Sequence, residues 1–365
     1  MQKKVQAAFV GLFCLLIFCN AQAAADSAHR ALSLFSGTVV PSLFPFAVAA
    51  SLLFELHALD PLARRLHRLT QRCFGFSGHF AYLFGCSALS GYPIGAKLTA
   101  DLFRQDCLSR EEAEALLCCV STSGPMFLYA GVCLNMLHAP RLAVYLLLPH
   151  YLAALTCCLL SGRRFAREHS SSPLRLPPVK SLPWSEALSR AVSSCTASML
   201  SVCALMVIYG VGIDLLGTLL LRFLPQWALP GKLALGLCEL TTGCANSALL
   251  PGQARLAYLS FLCAFGGLCI HAQTASLAAA ASLRLRHFWV HKSIQGLLSA
   301  AMTVALLKIC PPDASCFAAL PSAALSPTCP TWLTATAFLL CLWPFAVQAQ
   351  KTRHARLKPR SSPSP

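Results

Sequence analysis

Apolar runs alternate with short polar connectors along nearly the whole chain. Ten can be marked, at about 5–24, 32–56, 76–100, 113–137, 141–161, 191–221, 233–250, 254–281, 291–309 and 331–349. Roughly twenty apolar residues in an α-helix span the ~30 Å of bilayer hydrocarbon. The ten-residue alternation of a transmembrane β-barrel is absent. The pattern predicts an all-α polytopic membrane protein.

Four polar motifs interrupt these runs, two in each half. The first half carries Ser90-Gly91-Tyr92-Pro93-Ile94-Gly95-Ala96-Lys97 and Ser121-Thr122-Ser123-Gly124-Pro125. The second carries Glu239-Leu240-Thr241-Thr242-Gly243 and Gly266-Gly267-Leu268-Cys269-Ile270-His271-Ala272-Gln273. Glycine and proline open the helical backbone, and each freed N–H or C=O in hydrocarbon costs several kcal/mol. Such breaks persist where protein or a wet cavity satisfies them, and carriers bind solutes there.

The basic connectors decide how the runs cross. Starting inside at Lys3 and Lys4, the connector with Arg64, Arg65, Arg68 and Arg72 returns inside. If every run spanned, the connector with Arg163, Arg164, Arg167, Arg175, Lys180 and Arg190 would fall outside, against the positive-inside rule. Letting 76–100 enter and leave by one face, turning at Ser90-Gly91-Tyr92-Pro93, restores the parity. The connector with Arg284, Arg286 and Lys292 then requires one more re-entrant segment. The shorter run 233–250, with Thr241-Thr242-Gly243 at its middle, is the better candidate. The expected architecture is about eight transmembrane helices plus two re-entrant hairpins entering from opposite faces. Each hairpin is followed by a helix interrupted at Gly124-Pro125 or Gly266-Gly267. This is an inverted-topology repeat, which places a solute site near the midplane.

Divided on this basis, residues 1–25 form a first transmembrane helix or a signal peptide, and 30–161 and 191–309 form the two repeats. Residues 162–190 are a basic cytoplasmic loop, 310–330 a Cys/Pro-rich external loop, 331–350 a last span and 351–365 a basic tail. Both termini are expected on the cytoplasmic side of the inner membrane.

Composition agrees. The chain is 56% hydrophobic and 12% charged, with a mean hydropathy of +0.62. Its net charge of +16 lies in clusters at the ends of apolar runs, not along an aromatic-interleaved face, so nucleic acid is not an expected partner. The twenty cysteines mostly stand singly inside apolar runs, and no CxxC occurs, so neither a metal site nor a cofactor is expected. Cys310, Cys316 and Cys329 share one loop, where one pair can bridge in an oxidising compartment. Neither HExxH, GxSxG nor a P-loop is present, so no enzyme is expected. The expected partners are the lipid bilayer, a small polar solute and, in a homo-oligomer, further copies of the chain.

Ser90-Gly91-Tyr92-Pro93-Ile94-Gly95-Ala96-Lys97, Ser123-Gly124-Pro125-Met126-Phe127 and Gly266-Gly267-Leu268-Cys269-Ile270-His271-Ala272-Gln273 resemble motifs of the YlbJ family of sporulation integral membrane proteins. Pro41-Ser42-Leu43-Phe44-Pro45-Phe46 and the acidic Arg110-Glu111-Glu112-Ala113-Glu114 also match in order. The similarity runs from about residue 30 to residue 310. That family carries the nucleoside-recognition, or Gate, domain. The resemblance implies a polytopic inner-membrane protein linked to endospore formation, with transport of a nucleoside-like solute as its activity. The competing reading is a non-transporting scaffold in spore envelope formation. Where relatives often place Asn before Ser-Gly-Pro, this chain has Ser121-Thr122, whose hydroxyls can still line a polar site.

The candidate solute-binding residues are Ser90, Tyr92, Lys97, Ser121, Thr122, Ser123, Glu239, Thr242, Asn246, His271 and Gln273. Ser90 and Tyr92 stand at the first hairpin tip. Lys97 either contacts the solute or pairs with Asp101 one helical turn on. Glu239, Thr242 and Asn246 share one face if their arm is helical. Glu239 has no basic neighbour in local sequence, and such a buried carboxylate can carry a proton. His271 and Gln273 diverge on a regular helix, but an unwound segment can aim both into one cavity. The hydroxyls of Ser121, Thr122 and Ser123 serve either the solute or the freed backbone.

Overall fold

Three apolar helices open the chain in the computed structural model, which describes residues 2–169, 173–177 and 182–312. Helix α1 (Gln2–Cys19) turns at Asn20 into α2 (Ala21–Leu34), which runs through the π-helical turn Phe35–Val39 into α3 (Val40–Glu55). Residues 21–55 are thus one rod, whereas the sequence suggested a polar connector at 25–31. Asp26, His29 and Arg30 there are helical, and Arg30 meets Asp214 at 2.7 Å. The basic connector expected as a loop is likewise a helix, α4 (Asp60–Phe74), begun by Pro61 and stopped by Gly75.

The run 76–100 forms two short helices, α5 (His79–Ser90) and α6 (Ile94–Arg104), packed against each other. At 1.5 Å per residue they are only about 18 and 16 Å long, too short to cross hydrocarbon singly. Helix α7 (Arg110–Cys119) begins at Ser109, whose hydroxyl accepts the Glu112 N–H at 3.1 Å. It stops before 121–124, and helix resumes at Pro125, continuing as the π-helical segment Phe127–Met136. Helix α8 (Ala143–Glu168) follows.

The second half opens with α9 (Trp184–Phe223), whose forty residues measure about 60 Å and exceed a bilayer core. Two short helices, α10 (Ala228–Gly236) and α11 (Leu240–Asn246), pack against each other. Then come α12 (Gly252–Phe265) and α13 (Gly267–Ala280), broken at the double glycine, and α14 (Phe288–Ile309). The turn between α10 and α11 lies at 237–239, so Thr241-Thr242-Gly243 is not the break expected there but the first turn of α11.

Apart from α4, which only the first half has, the same succession occurs twice: a long helix, two short ones, an interrupted one and a closing one. Counterparts pack on each other, α3 on α9 and α8 on α14. The described residues contain no strand, and five helical segments (21–55, 140–168, 184–220, 252–280 and 288–309) are long and apolar enough to cross a membrane. Leu200, Ile208 and Leu216 of α9 and Leu297 of α14 are exposed, an apolar surface suited to acyl chains. Residues 313–365 lie outside the described residues, and with them the last span, the tail, Cys316 and Cys329; Cys310 is exposed and bridges to no cysteine among the described residues.

Candidate functional site

Breaking a helix exposes carbonyls on one side of the gap and N–H groups on the other. In the second half these satisfy each other across motifs. The N–H groups of Leu268 and Cys269, in the first turn of α13, donate to the carbonyls of Leu237 and Cys238 at 3.0 and 2.8 Å. The approach needs Gly267, at φ +76°, where an added Cβ would lie 3.2 Å from the Leu237 oxygen. The Phe265 carbonyl accepts from His271 Nε2–H at 2.7 Å.

Glu239 closes the same turn. Its carboxylate caps α11, accepting from the Thr241 N–H (3.0 Å), the Thr242 N–H (2.7 Å) and the Thr241 hydroxyl (2.5 Å). Buried at 4% exposure, it has partners that the sequence did not reveal, and two of them are main chain. A carboxylate at a helix N-terminus is stabilised by the N–H groups and the helix dipole together.

The first half satisfies its gap with side chains. The Ser87 hydroxyl donates to the Val120 carbonyl. Tyr151 Oη lies 3.0 and 2.9 Å from the carbonyls of Ala88 and Ser123 and can donate to one at a time. The Ser123 N–H donates to His150 Nε2 at 3.2 Å. Lys292, fully buried on α14, donates to the Ser121 carbonyl at 2.6 Å and to Gln295 Oε1 at 2.7 Å. The backbones of turn and break also touch directly, since a Cβ on Gly91 would lie 2.8 Å from the Gly124 nitrogen.

All four motifs meet at one cavity of about 50 Å³. Its polar wall is Tyr92, Ser123, Glu239, Thr241 and Gln273, and Leu43, Phe127, Val202 and Met206 supply much of the apolar remainder. One water fills roughly 10–15 Å³ on this measure, so the space holds a few waters. Open ligand pockets measure ~300–1,000 Å³, so the site is closed in this conformation. Tyr92 reaches across the halves, donating to the Ala264 carbonyl at 3.4 Å.

A second cavity of about 380 Å³ lies on the other side of α11, lined by Asp26, Arg30, Asp214, Lys232, Thr242 and Asn246. Thr241 faces the central cavity and Thr242 this one, one helix thick between them.

Four of the predicted site residues, Tyr92, Ser123, Glu239 and Gln273, therefore converge on the central cavity, while others go elsewhere. Thr242 and Asn246 share a face, but Glu239 stands before the helix as its cap, so the three do not form the expected stripe; Asn246 donates to the Lys232 carbonyl at 2.9 Å. His271 and Gln273 lie on regular helix, not on an unwound segment, and diverge. His271 enters an aromatic nest of Phe265, Phe288 and Trp289, whereas Gln273 lines the cavity and reaches Cys269 Sγ at 3.4 Å. Lys97 pairs with Asp101 at 3.1 Å and donates to Ser51 at 3.3 Å, away from the cavity. Ser90 donates to the Phe46 carbonyl (3.0 Å) and Ser121 to the Leu117 carbonyl (3.0 Å), and the Thr122 and Ser87 hydroxyls share a bond of 3.2 Å.

Sequence reasoning missed Thr241, His150, Tyr151 and above all Lys292, which it counted with Arg284 and Arg286 as a cytoplasmic connector. The helix starts at Phe288, so Lys292 lies one turn inside it. A signal existed: Lys292, Gln295, Ser299 and Thr303 recur at helical spacing, and all four are buried.

No family model and no solved structure matches the chain. It is 25% identical over 328 residues to the sporulation integral membrane protein YlbJ of Bacillus subtilis (strain 168), a match covering 80% of this chain and 79% of that protein. This similarity extends over four-fifths of both chains and supports membership of the YlbJ family of sporulation integral membrane proteins.

Proposed function

We propose that the protein is a carrier or facilitator for a small polar solute, nucleoside-like by analogy with the Gate domain, and that it serves spore formation as its relative's description indicates. The observation that carries this reading is the central cavity, where the four interrupted segments meet around Tyr92, Ser123, Glu239, Thr241 and Gln273. Buried hydroxyl, amide and carboxylate groups there suit hydrogen bonding to a hydroxylated solute.

In this reading α5–α6 and α10–α11 are re-entrant hairpins from opposite faces of the inner membrane. The count of eight spans, the inverted repeat and the cytoplasmic termini follow from the basic connectors. The protein performs no covalent chemistry and binds no nucleic acid, and its partners are the bilayer, the solute and, in a homo-oligomer, other copies of the chain. Alternating access then requires the closed cavity to open toward each face in turn, with the second cavity as the approach on the α11 side.

The test is uptake of labelled nucleosides and related metabolites by liposomes holding the full-length protein. Saturable flux of one class, lost in Glu239→Gln and Gln273→Ala, supports the reading. Absence of flux across the panel, with spore envelope assembly unaffected by both substitutions, overturns it in favour of a scaffold.

A further inference from the structure

Lys292 is fully buried, yet both of its hydrogen bonds go to neutral oxygens, the Ser121 carbonyl and Gln295 Oε1. Its ammonium also lies 5.4 Å from the centre of the Tyr92 ring, on which a cation is attracted. A cation held by a carbonyl of an unwound segment, a side-chain amide oxygen and an aromatic face, without a carboxylate, is coordinated as a bound metal ion would be in a broken-helix carrier. Here the cation is covalently part of α14, and it touches both first-half motifs at once: the break through Ser121 and the turn through Tyr92.

The groups facing it complete the environment. Helix α7 presents Cys118 and Cys119, α8 presents His150, Cys157 and Cys158, and α13 presents His271. His291 is its neighbour on α14, and α12 sets Phe261 against Gly296 one turn along. Nδ1 of His150, Nδ1 of His271 and Nε2 of Gln295 are buried with no hydrogen-bond partner among the described residues. These unpaired polar atoms give water a place to enter beside the ammonium.

We propose that Lys292 is the proton-coupling residue of this carrier: its ammonium clamps the 121–124 break to the Tyr92 turn while charged and releases both when it loses its proton. The proton passes to water entering the cavity, leaving a neutral amine that no longer holds the Ser121 carbonyl by charge. The clamp is complete at low pH and is lost as pH rises. The coupling role rests on the transport reading above; the clamp does not.

Two measurements on the full-length protein in lipid nanodiscs and liposomes separate them. Deuterium exchange of residues 120–128, normalised to the intrinsic rate at each pH, reads the clamp. Wild type is expected to open progressively as pH rises, Lys292→Arg to stay protected throughout, and Lys292→Gln to exchange about tenfold faster at every pH. Should Lys292→Gln fail to fold, Gln295→Leu removes one acceptor of the ammonium and moves the wild-type opening to lower pH. A wild-type profile that does not change with pH, as a purely structural lysine would give, overturns the clamp, and so do identical profiles in all variants. Uptake driven by an imposed pH gradient reads the coupling: wild type concentrates solute without sodium, whereas Lys292→Arg only equilibrates it. Uptake indifferent to the gradient overturns the coupling. Absence of any flux overturns the transport reading, and the coupling with it, while the exchange profile still judges the clamp.

Discussion

The two halves of the protein solve the same problem with different chemistry. Each must satisfy backbone groups freed where a short helix pair turns and the next helix breaks. The second half joins turn to break with main chain, Leu268 and Cys269 donating to Leu237 and Cys238, and adds a carboxylate cap at Glu239. It leaves to side chains only the carbonyls of Cys263, Ala264 and Phe265, which accept from Ser123, Tyr92 and His271. The first half does so with the side chains of Ser87 on α5 itself and of His150, Tyr151 and Lys292, reached from α8 and α14. Main-chain bonds depend on backbone conformation and ignore side-chain identity; side-chain bonds vanish one substitution at a time. The second half should therefore be an all-or-none junction and the first a graded, adjustable one.

Four substitutions sharpen or break that contrast, read as thermal or denaturant stability of the purified protein and as liposome flux. Gly267→Val is expected to have the largest effect, because it forces a β-branched residue to φ +76° beside the Leu237 carbonyl. Such strain costs of order 1–3 kcal/mol, and loss of the two cross-motif bonds adds to it. Wild-type stability in this variant would show that the second junction does not rest on backbone geometry.

Glu239→Ala comes next, at about 2 kcal/mol, since it removes a cap and leaves the Thr241 and Thr242 N–H groups without their acceptor. It should also abolish flux, and Glu239→Asp should recover part of the stability. In the first half, Tyr151→Phe should cost about 1 kcal/mol, because one hydroxyl serves two carbonyls and the surrounding packing is unchanged. A loss exceeding that of Gly267→Val would invert the comparison. Thr242→Val should be the mildest, within about 0.5 kcal/mol. Its N–H still binds Glu239 and its hydroxyl faces the wider cavity, so any change is expected in the solute concentration for half-maximal flux.

The sequence was most legible where composition of the backbone itself carries the information. Gly91-Tyr92-Pro93, Gly124-Pro125 and Gly266-Gly267 announced interruptions, and helix does stop at each of the three sites. The fourth was misread by a few residues because Thr241 and Thr242 look like helix breakers locally. Glu239 turns them into a capped first turn, and an N-cap differs from a mid-helix acid only by the backbone around it. Lys292 was lost for a related reason. Charge near the end of an apolar run reads as a water-exposed anchor, and only the start of α14 at Phe288 moves it inside.

What the sequence determined by itself is the class of the molecule: helices, long apolar segments and four interrupted sites in two sets. Those follow from local rules, the length needed to span hydrocarbon and the inability of glycine pairs and proline to continue a helical ladder. Which residues face one another was decided by the tertiary structure alone. Tyr92, Ser123, Glu239 and Gln273 line one cavity because the corresponding helices of the two halves pack together, bringing residues some 180 positions apart into contact range. His271, two residues from Gln273, turns away from that cavity, since neighbours at i and i+2 on a helix point in nearly opposite directions.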